Sequence, residues 1–306
     1  SFNGRSVAGA NQARQMVRDQ HQSGYDFVKI HPGLTAEEFE AVAETANELG
    51  MPFAGHVPVA VGVARALQLG MATIDHLDGY FAALLPAGSD GFGGYGGFFD
   101  VMLAAELDAE RIPEIARATA EAGTWNVPTE VLVEVRINGT PTVELRNQPG
   151  MRYMPTETVE RWVATKEALL AERDFNPQVA ARATELRRRV ILELHKAGAG
   201  LLLGADSPQV FNVPGFSLHR ELDALVAAGL TPYEALRTGT VAVAEFLDSN
   251  AGTVAVGRDA DLVLLNANPL EDVRYAHRIH GVMLRGTWYS ADSLSERLAR
   301  YVDPEN

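Results

Sequence analysis

From residue 11 to about residue 240 the chain alternates short apolar runs with amphipathic helical stretches, and that alternation constrains the fold more than any other feature. "TAEEFEAVAETANELG" (35–50) opens with a capping box, Thr35 and Glu38, and carries apolar residues at helical spacing up to a terminal glycine. "VGVARALQLG", "ERIPEIARATAEAG" and a long stretch over roughly 156–197 also read as helices, as do "LHRELDALVAAG" and "TPYEALRTGT". Between them lie five strand candidates: "YDFVKIHPGL", "MPFAGHVP", "MATIDHL", "TWNVPTE" and "AGLLLGAD". Strands that alternate with helices imply a parallel sheet covered on both faces. The expected class is α/β, a partial (β/α)8 barrel. After residue 250, "GTVAVGRDADLVLLN" and "HGVMLRGTWYS" have strand character with glycine turns and no helical period, a small β segment appended to the rest. The division is therefore a barrel portion over 1–250, a β segment over 251–292 and a tail over 293–306.

Four strand candidates end on residues able to do chemistry: Lys29, His56, His76 and Asp206. In a (β/α)8 barrel, catalytic side chains stand at the C-terminal ends of the strands. Lys29 is conspicuous, because lysine occurs elsewhere only at Lys166 and Lys196. Phe27, Val28 and Ile30 suit a strand packed on both faces, and an ammonium buried there is costly unless paired or chemically altered. Singly, each residue has a structural reading: a hydrogen-bonded core histidine, a helix-capping aspartate, a lysine that reaches solvent. Together, at successive strand ends, they converge on one mouth of the sheet.

That set permits metal-assisted hydrolysis. Neutral imidazoles and a carboxylate suit a divalent metal such as zinc. Carbon dioxide added to the Lys29 amine would give an anionic carbamate, whose two oxygens can bridge two metals. Composition removes other classes. The 306 residues carry a formal net charge of −14 and no basic run, which argues against nucleic acid as a partner. There is no cysteine, hence no thiol nucleophile and no disulfide. No apolar stretch is long enough to span a bilayer, and no signal peptide is visible at the first residue. The compartment stays open between cytoplasm and export. The segment 86–100, "PAGSDGFGGYGGFFD", reads as a surface loop or, just after His76, a lid.

"VKIHPGL", "FAGHVP", "TIDHLDGY" and "LLLGADSPQ", with "GLTPYEALRTGT" and "GTVAVGRDADLVLLNANPLEDV", resemble in this order the amidohydrolase superfamily of metal-dependent hydrolases. The nearest branch looks like that of imidazolonepropionase-like and Xaa-Pro dipeptidase-like members. The resemblance implies a (β/α)8 TIM-type barrel, here strands four to eight, with part of a small β-sandwich. It implies that Lys29 is the carboxylated bridging lysine, that His56 and His76 are metal ligands, and that Asp206 is a ligand and the proton shuttle. His76, or a residue of the loop after it, would also stabilise the oxyanion. A complete enzyme of this kind holds two divalent ions. The implied substrate is a small amide: a dipeptide, an N-acyl amino acid or a cyclic amide. Lactone or ester hydrolysis is the alternative on the same scaffold. His31, Arg136 and Arg152 are candidates for substrate contact. The family's His-x-His pair is absent, and only His21 precedes Lys29. The chain is therefore expected to be incomplete or non-catalytic alone and to need an N-terminal segment or companion chain, with homo-oligomerisation open.

Overall fold

The computed structural model describes residues 6–89, 98–173 and 175–303; the glycine-rich part of the expected loop or lid lies outside them. In chain order the first elements are α1 (Ala10–Gln22), β1 (Val28–Ile30), α2 (Ala36–Leu49), β2 (Phe53–Gly55) and α3 (Gly62–Gln68). They are followed by β3 (Thr73–Asp75), α4 (Tyr80–Ala83), α5 (Ile112–Glu121), β4 (Trp125–Val127), α6 (Glu130–Ile137) and α7 (Thr142–Arg146). Next come α8 (Thr156–Leu170), α9 (Pro177–Ala197), α10 (Phe216–Ala227), α11 (Pro232–Thr238) and α12 (Val241–Phe246). The last are β5 (Leu262–Leu265), β6 (Ile279–Leu284), β7 (Thr287–Ser290) and α13 (Ala291–Leu298). They form two compact units: Ser1–Pro128 with Glu185–Leu201, and Thr129–Thr184 with Leu202–Asn306.

The first unit is built on a parallel sheet in the order β1-β2-β3-β4. Ile30, Phe53 and Ile74 are almost wholly buried in it. α2 begins and ends where its sequence says. Thr35 accepts from the Glu38 backbone, Glu38 reaches back to the Thr35 backbone, and Gly50 closes the helix in the left-handed conformation. α2 packs on α1, with Ala43 and Ala46 of the one and Ala13 and Val17 of the other buried, and Phe39 meets Phe53 edge-on at 5.9 Å between centroids.

The fifth strand candidate differs from expectation. Leu201 makes a single parallel bridge to Asn126, and the chain then leaves the ladder, Leu203 donating instead to the Thr238 carbonyl at 3.0 Å. The helical stretch over 156–197 is likewise two helices. Proline can open a helix but not continue one, and Pro177 does so here with Asn176 Oδ1 accepting from the Gln178 N–H at 2.9 Å.

In the second unit, Trp162, Phe211, Val159, Val135 and Leu145 form an apolar core. Buried polar side chains close both ends of α6. Glu221 accepts from the backbone N–H of Glu130 at 2.9 Å and of Val131 at 2.8 Å. Lys166 donates to the Val135 carbonyl at 2.7 Å and to Asn138 Oδ1 at 2.9 Å. The terminal β segment forms the antiparallel sheet β5-β6-β7, separate from the parallel one, as its glycine turns and alternation predict. β6 and β7 are joined by Arg285-Gly286, both at positive φ (50° and 77°), as a two-residue hairpin with right-handed strand twist requires. No helix among the described residues is long and apolar enough to cross a membrane.

Glu221→Ala is expected to lower unfolding free energy by about 3 kcal/mol, because two helix N-terminal donors lose their acceptor in a buried place. Glu221→Gln, which keeps one acceptor oxygen, should lose clearly less. Urea titration of both variants checks the order.

Candidate functional site

The in-register pairing Ile30–Gly55–Ile74 brings the C-terminal ends of β1, β2 and β3 side by side. Lys29 lies within β1, and His56 and His76 are the first residues past β2 and β3. The rings of His56 and His76 are 4.6 Å apart between centroids, and the ring of His31 is 5.8 Å from that of His56.

Lys29 corrects the sequence expectation of a buried ammonium. Val28 and Ile30 are buried, but Lys29 faces the other side of the strand with its side chain 50% exposed, and its Nζ donates to Asp75. Strand alternation is the reason: neighbouring residues face opposite sides, so only one face of β1 is packed at this point. Asp75 also accepts from Thr73 Oγ1 at 3.0 Å. The lysine stem passes over Gly55. A Cβ there would lie 2.9 Å from Lys29 Cδ and 2.6 Å from the Ile30 carbonyl oxygen, at a φ of +118°. Glycine at this position leaves the path of the lysine clear.

His56 Nδ1 lies 2.7 Å from Asp78 Oδ2, with both side chains largely buried. An ionised carboxylate only accepts, so Nδ1 is the ring nitrogen that donates, which in the neutral ring leaves the lone pair on Nε2.

His76 is held by its backbone. Its N–H donates to the Val127 carbonyl at 2.8 Å, and its own carbonyl accepts from Arg187 Nη1 at 3.0 Å. His76 and Leu77 are both left-handed, at φ 62° and 58°, a conformation that costs about 1–3 kcal/mol per non-glycine residue. Burial pushes the His76 pKa down to about 3, and neighbouring His56 adds to the shift while Asp75 opposes it. The ring is therefore neutral near pH 7. Phe99 packs on it at 4.9 Å between centroids. Phe99 and the following Asp100 are also left-handed, and burial, with Asp78 nearby, raises the Asp100 carboxyl above its ordinary range.

The remaining predicted residues fall in the second unit. Asp206 is exposed and left-handed at φ 51°. Arg136 lies in α6, its pKa lowered by burial. Arg152 stacks 4.8 Å over the Tyr153 ring and donates to its hydroxyl at 2.6 Å. Asp75, Asp78, Gly55 and Arg187 are residues of this site beyond those singled out from the sequence. The first two were within reach, since "TIDHLDG" sets carboxylates on both sides of His76. Two adjoining imidazoles with carboxylates beside them are donor types that suit a divalent cation. Among the described residues, no three His, Asp or Glu side chains gather as ligands of one ion.

The sequence matches the amidohydrolase family over residues 27–289. No curated protein matches it. Among solved structures, it resembles a bottromycin amidohydrolase at 27% identity and a TM-score of 0.68, covering 98% of this chain and 64% of the other. A Xaa-Pro dipeptidase with bound methionine in its active site matches at 19% identity and a TM-score of 0.58, over 95% and 64% of the two chains. An ochratoxinase of A. niger matches at 18% identity and a TM-score of 0.58, over 93% and 55%. The fold class is thus α/β, with the barrel of these proteins present in part. The chain spans 64% of the length of the first two.

Two outcomes follow from this geometry. Gly55→Ala should cost about 1–3 kcal/mol in chemical denaturation, from overpacking and the strained φ, and should displace Lys29 from Asp75 in a crystal structure of the variant. The second concerns acid. A buried imidazole whose pKa is lowered from 6.5 to about 3 stabilises the fold fully above pH 6.5 and loses that contribution as pH falls toward 3, because the unfolded chain binds the proton first. Between pH 7 and pH 5 the parent should lose about 2 kcal/mol more than a His76→Gln variant, read from urea midpoints.

Proposed function

We propose, on the premise that this chain belongs to the amidohydrolase family, that the protein hydrolyses the C–N bond of a small amide: a dipeptide, an N-acyl amino acid or a cyclic amide. The observation that carries this reading is the pair of adjoining imidazoles at strand ends, His76 neutral by burial and His56 oriented by Asp78. The likeness to a bottromycin amidohydrolase, at 27% identity, supports an amide as substrate.

Lys29 as carbamate, His56, His76 and Asp206 are the residues we assign to two divalent ions, zinc in the first instance. When bound, such ions supply Lewis-acid polarisation of a carbonyl and lower the pKa of water. The protein's own contributions follow from its chemistry. Asp78 fixes the tautomer of His56, so that Nε2 faces outward as a ligand. Burial keeps the His76 lone pair unprotonated at neutral pH. The Asp206 carboxylate takes a proton from the attacking water and delivers it to the leaving nitrogen. His31, beside His56, is assigned to substrate contact, and Arg136 and Arg152 are candidates for a substrate carboxylate. The reading also includes the division at residues 250 and 292 and a companion segment that supplies the remaining ligands, since the chain spans only 64% of its first structural neighbours.

The test uses the full-length protein that carries this chain, loaded with zinc and assayed on dipeptides, N-acyl amino acids and lactones. Amide turnover with retained zinc supports the reading, lactone turnover alone moves the substrate class, and a protein that retains no zinc and turns over no substrate overturns it. Lys29→Ala should lose at least one zinc and nearly all hydrolysis, with part of both restored by added short carboxylic acids. Unchanged metal content and rate in that variant would remove the carbamate.

A further inference from the structure

Arg187, in α9, is 1% exposed and among the largest wholly buried side chains of the protein. Its sequence neighbours Arg188 and Arg189 are ordinary helix-surface candidates, and nothing in the local pattern sets Arg187 apart. In the fold it spans the mouth of the sheet. Nη1 donates to the His76 carbonyl at 3.0 Å and Nη2 to the Pro128 carbonyl at 3.2 Å. These two carbonyls follow β3 and β4, which are neighbours in the parallel sheet. The planar guanidinium fork thus ties two strand ends together at a residue whose backbone is left-handed. His76 and Leu77 are consecutive left-handed residues without glycine, and the direction of the His76 ring is set by that turn. A helix–sheet contact needs no arginine for packing. An apolar side chain of similar length would fill the space but leave both carbonyls without these donors.

We propose that Arg187 is a positioning residue of the site: it fixes the turn after β3 and so the direction in which His76 presents its ring. This inference rests on the metal-hydrolase reading above. Lysine cannot replace it fully, because one ammonium lacks the fixed, planar fork that spans two carbonyls. Orientation of a ligand imidazole by a neighbouring group is worth about 10–100-fold in metal affinity.

The experiment compares Arg187→Met and Arg187→Lys with the parent in the full-length protein. Zinc affinity is read by chelator competition, kcat and KM on an amide substrate at saturating zinc, and the His76 ring by 15N–1H spectra of the metal-free protein. The expected result is a zinc affinity about 10–100-fold weaker in Arg187→Met, with a smaller loss in Arg187→Lys. The rate loss should fall on kcat with KM little changed, and the His76 ring signals should broaden or double without metal. A merely structural Arg187 would lower the melting temperature and leave zinc affinity, kcat and the His76 signals of the folded variant as in the parent, which would overturn the proposal. Should Arg187→Met fail to fold, the same readouts on Arg187→Lys decide, parent-like values overturning it. A parent that neither binds zinc nor hydrolyses amides would sink the hydrolase reading, while the metal-free His76 spectra still decide the role of Arg187.

Discussion

The parallel register of β1, β2 and β3 is the constraint on which the site depends. Lys29 pairs with Ala54, and Ala54 with Thr73, so these three share a face of the sheet. Asp75, two residues past Thr73, returns to that same face, which is why a lysine on β1 finds a carboxylate two strands away. A slip of one residue in either pairing would turn Asp75 to the opposite face and part the two charges. Gly55 completes the arrangement from the strand between them, because any side chain there would block the lysine stem. Three strands of three residues each thereby hold one ion pair.

Each site residue is then fixed by a different physical means. Lys29 is held by charge, with its stem on glycine. His56 is held by a hydrogen bond from its ring to Asp78, which decides the tautomer as well as the direction. His76 is held by its backbone, between the Val127 carbonyl and the Arg187 guanidinium, and its ring is made neutral chiefly by burial, with His56 adding to the effect. The arrangement spreads the cost of a rigid site over many small terms. Backbone strain is placed at the end of β3, where His76 and Leu77 are both left-handed.

What could be read from the sequence follows the range of the interaction concerned. The cap of α2 was legible because Thr35 and Glu38 are three residues apart and their chemistry is local. Strand ends were legible because His56 and His76 directly follow apolar runs closed by turn residues. The break before α9 was marked by Asn176-Pro177 but was outweighed by the helical composition on both sides. The environment of Lys29 was not legible, since an apolar run does not reveal which of its faces stays open. Arg187 was out of reach altogether: its hydrogen bond to His76 joins residues 111 apart, and two further arginines follow it directly. Local signals gave the elements and their ends, whereas the partners that orient the site are nonlocal.

The pairing of Lys29 with Asp75 bears directly on the carbamate. As an ammonium, Lys29 attracts Asp75, and the two neutralise each other beside a half-open face. A carbamate at the same nitrogen carries the opposite charge, so its nearest carboxylate becomes a repelling neighbour. At about 4 Å two like charges near a protein surface repel by roughly 4 kcal/mol. Carbon dioxide alone would therefore be held poorly on Lys29 in the ion-paired arrangement. The proposed modification would become favourable with positive charge entering beside it to offset the Asp75 carboxylate. If Lys29 is carboxylated as proposed, its modification and the binding of a cation would be one coupled event rather than two successive ones, with the Asp75 carboxylate opposing the modification until positive charge arrives.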